Sequence, residues 1–347
     1  MSPTISIAMA VYNGERFLKE QLQSLSNQTT LPFELIACDD GSTDNSVNIL
    51  EDFAKTAPFP VRVIRNEKNL YYADNFMKAA SLCQGECIAF CDQDDIWDSS
   101  KLSVAAAALE NREVTLFSHG CQIVSAEGKP LKDAESVLTT GHYTLSDLDP
   151  LNAFFGYSCV FRRHILSLCP AEKRPIDLIH NNILLAHDRW IYFLATAAGI
   201  VSYDARPLVF YRQHENNCIG TETFRKRSIS KIFHDVRNKY NTYIEKRNLI
   251  SSGFLSISSD IAKKQEAYNP SDLIDIYSDM NNFYSKRAFL FKTNPIKSLI
   301  HIMTNKLQGL YNKPRRYSNS RAFLEDLVAI FLAKRVIAPL KKSGISG

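Results

Sequence analysis

At 347 residues, with 45% apolar and 22% charged content, the chain has the composition of a soluble globular protein, long enough for two domains or one large domain with an appendage. No apolar stretch reaches the roughly 18 residues that span a bilayer, and the N-terminus lacks the ordered charged, apolar and small-residue regions of a signal peptide, so a cytoplasmic protein is expected. The net charge of +4 conceals a split: residues 1–220 hold 18 Lys and Arg against 27 Asp and Glu, whereas residues 221–347 hold 23 against 10. A basic half suits an acidic partner, either phospholipid head groups or a polyanionic acceptor.

The first hundred residues alternate strand and helix signals. ISIAMAV (5–11) is an apolar β-run, and residues 15–25 place Phe17, Leu18, Leu22 and Leu25 at helical spacing. A second strand covers 33–38. Asp44 is the expected N-cap of a helix carrying Val47, Ile49, Leu50 and Phe53. Strands over 61–65 and 86–91 flank a helix over 73–83. This alternation predicts an α/β fold with right-handed crossovers and a mostly parallel sheet. Ligands then sit outside the carboxyl ends of the strands, so Tyr12 with Asn13, Asp39 with Asp40, and Asp92 to Asp95 are expected around one crevice.

From Lys101 the pattern loosens. A helix to Leu109, a strand over 114–117, a hairpin across 126–130 and a polar stretch to Asp149 precede the apolar FFGYSCVF at 154–161. HDRWIYFLATAA (187–198) reads as a helix ended by Gly199. Short strands over 201–204 and 208–211 follow, the second feeding RQHENN. Beyond Thr221 the composition turns to Lys, Arg, Ser, Asn and Tyr at helical spacing. The expected division is therefore 1–220, with halves at about 1–100 and 101–220, and a basic, mostly helical 221–347.

The chemistry concentrates in CIAFCDQDDIW (87–97), where a buried strand breaks into Asp92, Asp94 and Asp95. Crowded carboxylates repel one another and either form a solvated acidic turn or hold a hard divalent cation through oxygen ligands. A second acidic turn, CDDGSTD (38–44), stands at a neighbouring strand end. Its carboxylates are suited to accept hydrogen bonds from a pyrimidine or a ribose. A dehydrogenase would need a GxGxxG turn after the first strand, and VYNGERF offers only Gly14. Cys83, Cys87 and Cys91 lack the paired CxxC spacing of a zinc site and read as core thiols.

Taken together, AVYNGERFLKEQLQSLSNQT, ELIACDDGSTDNS, FCDQDDIW, HDRW and YRQHENN resemble family 2 glycosyltransferases, particularly the rhamnosyltransferase-like branch, over about residues 3–220. The resemblance implies a glycosyltransferase-A fold, Rossmann-like with a mostly parallel sheet flanked by helices, and a helical C-terminal extension outside it. It implies inverting transfer from a nucleotide-diphosphate sugar with a divalent cation, Mg2+ or Mn2+. The first choice of donor is dTDP-rhamnose, with another nucleotide sugar such as a UDP-hexose as the alternative. The acceptor would be a growing surface glycan of O-antigen or capsule type, free or lipid-linked, met at the inner face of the membrane.

Carried over by position, Asp40 resembles the carboxylate that contacts the donor base, with Ala10 and Tyr12 as the opposite wall and Asp39 in support. Capping of the Gly41 turn is the other reading of Asp39. Asp94 resembles the metal ligand, Asp92 the helper at ribose or metal, and Asp95 has no assigned role. Asp188 looks like the base that takes the acceptor proton, although its place at a helix start also suits an N-cap. A helix N-terminus favours the anion and weakens the base, while a bound diphosphate pushes the other way. His214 resembles the histidine that closes the metal or diphosphate site, as against a solvated loop residue. Arg212 is placed on the leaving diphosphate or in a surface salt bridge. Asn75, with Phe76 and Lys78, falls where the family lines the donor pocket, or on an ordinary amphipathic helix. Gly156, Tyr157 and Trp190 mark the acceptor side. His119 departs from the acid often found there.

Two further readings concern the whole chain. Residues 323–340 (FLEDLVAIFLAKRVIAPL) form a basic apolar helix that either packs on the protein or lies on a membrane. No nucleic-acid module is apparent, and the acidic crevice would repel that polyanion. A receiver-type phosphotransfer domain would also hold Mg2+ among acids, but it leaves HDRW and RQHENN unexplained. A non-catalytic sugar-binding relative is opposed by the presence of both Asp94 and Asp188.

Overall fold

The computed structural model describes residues 2–132, 135–151, 154–176, 183–215, 229–264, 266–290, 295–311 and 322–327, with backbone alone for 229–241 and 295. Two compact units divide the chain in an interleaved rather than sequential way: one comprises 1–174, 184–221 and 259–273, the other 175–183, 222–258 and 274–347.

The first unit is built on a nine-stranded mixed sheet. Strands β1 (Ile5–Val11), β2 (Glu34–Asp39), β3 (Val61–Arg65) and β4 (Cys87–Cys91) alternate with helices α1 (Glu15–Ser26), α2 (Ser46–Thr56) and α3 (Tyr71–Leu82). They pair in parallel in the order β3-β2-β1-β4. Every residue of β2 and β4 is buried, which is why their sequences read as apolar runs without alternation. Glu34 is the exception that needs partners: it accepts from Ser6 Oγ at 2.9 Å and from the Gln84 amide at 2.6 Å. On α1, Leu18, Leu22 and Leu25 are buried in the core, each burial contributing about 1.5–3 kcal/mol.

Beyond β4 come β5 (Ile96–Trp97), α4 (Lys101–Ala108), β6 (Val114–Val124), β7 (Gly141–Tyr143), β8 (Val160–Arg162), α5 (His187–Ala198) and β9 (Ile200–Arg212). Strand β8 runs antiparallel between β4 and β6, β6 pairs with β9 in parallel, and β5 and β7 pair antiparallel with β9. The order 3-2-1-4 puts the switch point between β1 and β4, so the carboxyl ends of both open onto one crevice.

Several expectations are corrected in detail. The two short strands expected over 201–211 are one 13-residue strand, because the Asp204–Pro207 segment is absorbed as register shifts opposite His119 and Gly120 rather than a turn. Strand β6 likewise runs on to Val124, carrying His119 into the sheet interior. The N-cap of α2 is Asn45, and Asp44 instead accepts from the Ser46 amide at 3.0 Å and from the Glu15 amide at 3.0 Å, tying two helix starts together. The hairpin at 126–130 is present, closed by Ser125 N–H to Lys129 O at 2.8 Å. The seven described cysteines are free and buried, as packed thiols should be.

The second unit contains α8 (Pro295–Leu307) and parts of α6 (Ile229–Lys263) and α7 (Pro270–Leu290). Within it Arg287 and Asp326, both buried, form a bidentate pair with Nε–Oδ2 at 2.9 Å and Nη2–Oδ1 at 3.0 Å, and Tyr311 donates to the same carboxylate at 2.7 Å. Of the expected helix over 323–340, residues beyond 327 lie outside the described residues. Among the described residues no helix is long and apolar enough to cross a membrane.

Two stability tests follow from this packing. Gly199 ends α5 in extended conformation, not as a left-handed cap, and a Cβ there would meet Glu113 O at 2.3 Å and Thr115 Cγ2 at 2.6 Å. Gly199→Ala should therefore lower the unfolding free energy by about 1–3 kcal/mol, read as a lower urea midpoint; an unchanged midpoint refutes the crowding. His119 donates from Nδ1 to Gly120 O at 2.7 Å, and burial, reinforced by the Lys101 charge, pushes its pKa down to about 3. The folded state then holds it neutral while the unfolded state protonates near 6.5, so stability present above that value is lost as pH falls towards 3. Each such histidine adds a slope of about 1.4 kcal/mol per pH unit. His119→Asn, which keeps a donor near Nδ1, should flatten the slope of unfolding free energy between about pH 6 and 4 by one proton; an equal slope in both proteins refutes the linkage.

Candidate active site

The crevice at the β1/β4 switch point is organised by a glutamine. Gln93, between the first two acids of the DQDD turn, accepts the Tyr12 amide at 2.9 Å and donates to Tyr12 O at 3.0 Å. The loop after β1 is thereby fastened to the acidic turn after β4. Gly14 makes room for this clamp, since a Cβ there would lie 2.4 Å from Gln93 Oε1. Tyr12 itself is exposed, while Asn13, at φ 49°, accepts the Thr43 amide at 2.8 Å and draws in the loop after β2.

On the β2 side, Asp39 is fully buried and accepts the Gly41 and Ser42 amides at 3.2 Å each, so its carboxylate caps the Gly41 turn. Asp40 is buried beside it, its Oδ1 accepting Asn66 Nδ2 at 2.7 Å and the Leu70 amide at 2.7 Å. Asn75 does not reach the crevice as an exposed wall. It is buried, donating to Cys38 O at 2.8 Å and accepting from Asn66 at 2.8 Å, with Lys78 donating to Asn66 Oδ1. Asn66 thus links Asp40, Asn75 and Lys78. Ala10, partly buried on β1, sits opposite Cys38 in the register.

At the acidic end, Asp94 Oδ2 and His214 Nε2 are 2.8 Å apart, and the imidazole packs on Phe17 with centroids 4.7 Å apart. Asp92 is partly buried. Burial, followed by the charges of Asp94 and Asp188, raises its pKa to about 7. Asp95 is fully buried and accepts the Arg212 amide at 3.0 Å, and burial followed by its acidic neighbours pushes it well up.

Arg212 holds this end from behind. Its guanidinium donates to Asp94 O at 2.8 Å, Ala126 O at 2.5 Å and Glu20 Oε2 at 2.5 Å, over the Phe17 ring. Placed 1% exposed with its fork already engaged, it supports the acidic turn rather than presenting a free face to a diphosphate. Lys101 is also fully buried. Its ammonium donates to Tyr157 O at 2.6 Å and lies 3.5 Å from the Trp97 ring centroid. Burial pulls its pKa down to about 7 against the pull of Cys91, Asp95 and Asp92. The ammonium in turn pulls the pKa values of Asp92 and Asp95 down, against the larger upward effect of their burial.

On the side where the sequence leads one to expect the acceptor, helix α5 starts after Ala186, so Asp188 is a first-turn residue and not the N-cap. Its Oδ1 accepts the Arg189 amide at 2.7 Å, and its charge is felt at Asp92. Beside it His187 is buried, with neither ring nitrogen bonded among the described residues, stacked on Phe76 at 4.1 Å and edge-on to Phe90 at 4.7 Å. Gly156 is glycine because a Cβ would meet His187 Nε2 at 2.6 Å. Trp190, expected on the acceptor side, lies in the core: it is 0% exposed and stacked on Phe193. Tyr157 is also turned inward, donating to Cys121 Sγ at 3.3 Å and stacking on Tyr211. Arg174, buried, pairs with Asp74 and donates to Leu185 O at 3.0 Å, anchoring the segment before α5 to α3.

A divalent cation can be tested against these donors. Among the described residues no group of three or more His, Cys, Asp and Glu side chains forms a ready-made cation site. Asp94 and His214 do converge within 2.8 Å. A carboxylate and an imidazole suit Mn2+ well and Mg2+ less, and a metal that works with phosphates takes most of its remaining ligands from substrate and water. The residues present fit such an ion. Gln93, Lys101 and Asn66 are the residues that sequence reasoning missed. Only Gln93, inside the DQDD turn, had a positional signal.

Residues 6–168 match the model of glycosyl transferase family 2. The chain is 29% identical over 244 residues to the dTDP-rhamnosyl transferase RfbG of Shigella flexneri, covering 67% of this chain and 80% of that protein. An uncharacterized glycosyltransferase of Haemophilus influenzae aligns at 23% identity over 95% of this chain and 99% of its own length. The crystal structure of S. aureus TarS 1-349 in complex with UDP-GlcNAc superposes with a TM-score of 0.50 at 16% identity, covering 82% of this chain and 92% of that one, and shares the fold. The DQDD turn at the β1/β4 switch point thus stands inside a glycosyltransferase-A fold, and residues 6–168, which hold it, form a glycosyl transferase family 2 domain.

Proposed function

We propose that the protein is an inverting, metal-assisted hexosyltransferase that moves L-rhamnose from dTDP-rhamnose to a growing bacterial surface glycan, free or lipid-linked, at the inner face of the membrane. The observation that carries this reading is the pairing of Asp94 with His214 at 2.8 Å, beside Asp92 and within the electrostatic reach of Asp188. A phosphate-binding end and a candidate base then stand at one crevice. The choice of donor is supported by the similarity to RfbG.

In this reading the nucleoside lies over the loops after β1 and β2, against Tyr12 and Asp40, whose carboxylate is held in place by Asn66 and the Leu70 amide. Asp39 shapes the turn beneath. Asp94 and His214 would hold the cation, with Asp92 as helper, and the cation would supply positive charge to offset that of the leaving diphosphate. Arg212 and Lys101 keep the acidic turn in register from below. Asp188 accepts the proton of the acceptor hydroxyl as that oxygen attacks the anomeric carbon from the face opposite the diphosphate. The C–O bond to the acceptor forms as the bond to the diphosphate breaks, with inversion.

A panel of nucleotide sugars, each with Mn2+ and scored for nucleotide release and acceptor-dependent product, tests the donor; absence of turnover and binding for all of them rejects it. Asp188→Asn should keep donor binding and reduce transfer by about 100- to 10,000-fold. Transfer at the native rate would remove Asp188 from the mechanism. Asp94→Asn should weaken Mn2+-dependent donor binding, and EDTA should abolish it in the native protein; donor binding indifferent to both rejects the cation.

A further inference from the structure

Helix α8 presents two unlike faces. Its inner face carries Ser298, Ile302 and Asn305, all buried, with Ser298 Oγ donating to Leu290 O at 2.5 Å. On the opposite face Ile296, Ile300, Met303 and Leu307 are 68%, 61%, 49% and 89% exposed. At about 100° per residue, these four fall within roughly 60° of arc, one continuous apolar line along the helix. Lys297 flanks the line on one side and Lys306 on the other, the latter with its ammonium 4.0 Å from the Phe323 ring. Four large apolar side chains held in water on one narrow line oppose stability unless something covers them.

Charge decides what covers them. From Met280 to Leu324 the sequence carries nine Lys and Arg and no Asp or Glu. A second copy of this chain would bring the same basic face and be repelled, whereas an anionic bilayer supplies both complementary charge and an apolar layer. At 13 residues the helix is about 20 Å long, too short to span a bilayer but long enough to lie in its interface. Lysines on either side of the line can keep their ammonium groups among phosphates while their stems follow the apolar side chains inward.

We propose that α8 docks the protein on anionic lipid bilayers, its Ile296–Leu307 line entering the head-group boundary and its flanking lysines pairing with lipid phosphates. The assignment extends the reading of an enzyme working at a membrane face. It puts the contact on α8 rather than on the 323–340 segment, for which the sequence left packing and membrane contact both open, and it does not depend on the donor or on the base.

The test is co-sedimentation of the full chain with vesicles of phosphatidylcholine alone and of phosphatidylcholine with about 30% phosphatidylglycerol. Binding is expected to the anionic vesicles, to fall with added salt, and to be weaker by at least about tenfold for Ile300→Asp/Leu307→Asp at unchanged melting temperature. In a second variant, Ile300→Trp, fluorescence should shift to the blue only with anionic vesicles, since the native Trp97 and Trp190 are already buried. Equal binding to neutral vesicles, no binding, full binding by the double Asp variant, or a native dimer that this variant dissolves would each overturn the proposal. Nucleotide release from the donor in the absence of vesicles is measured in parallel, so absence of docking by the native chain with intact turnover rejects the surface and leaves the catalytic reading standing.

Discussion

Everything at the crevice depends on keeping three carboxylates together at the end of one buried strand. Asp92, Asp94 and Asp95 follow β4 within four positions, and the last of them is fully buried. Unbalanced, such a cluster would protonate or splay apart, since the cost of a buried charge exceeds what a single contact returns. The fold answers with cations placed behind the turn. Lys101 comes from the start of α4 and Arg212 from the end of β9, and both are buried, as Asp95 is. Removing either would leave uncompensated charge, so these two residues are structural conditions for the site even where no ligand touches them.

That arrangement explains the division of labour among the acids. Asp95, held by the Arg212 amide, is the internal strut of the turn. Asp94 gives its carbonyl to Arg212 and its carboxylate to His214, so one residue joins the scaffold to the open side of the site. Asp92 feels both Asp94 and Asp188, making it the electrostatic link between the DQDD turn and the start of α5. The same logic recurs at β2, where Asp39 is used up in capping its turn and Asp40 is steadied by Asn66.

How far the sequence carried depends on which backbone geometry a residue belonged to. The parallel half was legible because each buried strand is a short apolar run ended by polar residues, and parallel pairing puts all those ends on one edge. The positions of Asp40 and Asp94 after β2 and β4 follow from that rule, whereas His214, after β9, came only from the family resemblance. Residues assigned from helices fared differently. Asn75 and Trp190 sit on α3 and α5, where a shift of one position turns a side chain by about 100° from cleft to core, and both are buried. Arg212 closes a long strand whose bulged centre looked like a turn, so its inward direction was hidden. Lys101 had no pattern to announce it: a lysine at a helix start reads as solvent-facing until the strand packed above it is known.

The basic C-terminal half shows a further limit of composition, because net charge does not say which charges reach a partner. Arg287 contributes to the excess, yet its guanidinium is spent on Asp326 and is sealed by Tyr311 among Phe283 and Tyr284. A buried bidentate pair of this kind adds little net stability over an apolar substitute, but it does fix one partner in one orientation, here the 322–327 segment against α7. The charge that remains for an acidic surface is therefore smaller than the count suggests and is set by which helix faces are left uncovered. On α8 those faces combine lysines with an apolar line, and it is that combination, not the sum of charges, that selects a bilayer over a soluble polyanion. A polyanionic glycan would pair with the lysines and leave Ile296, Ile300, Met303 and Leu307 in water, whereas a lipid interface accommodates both.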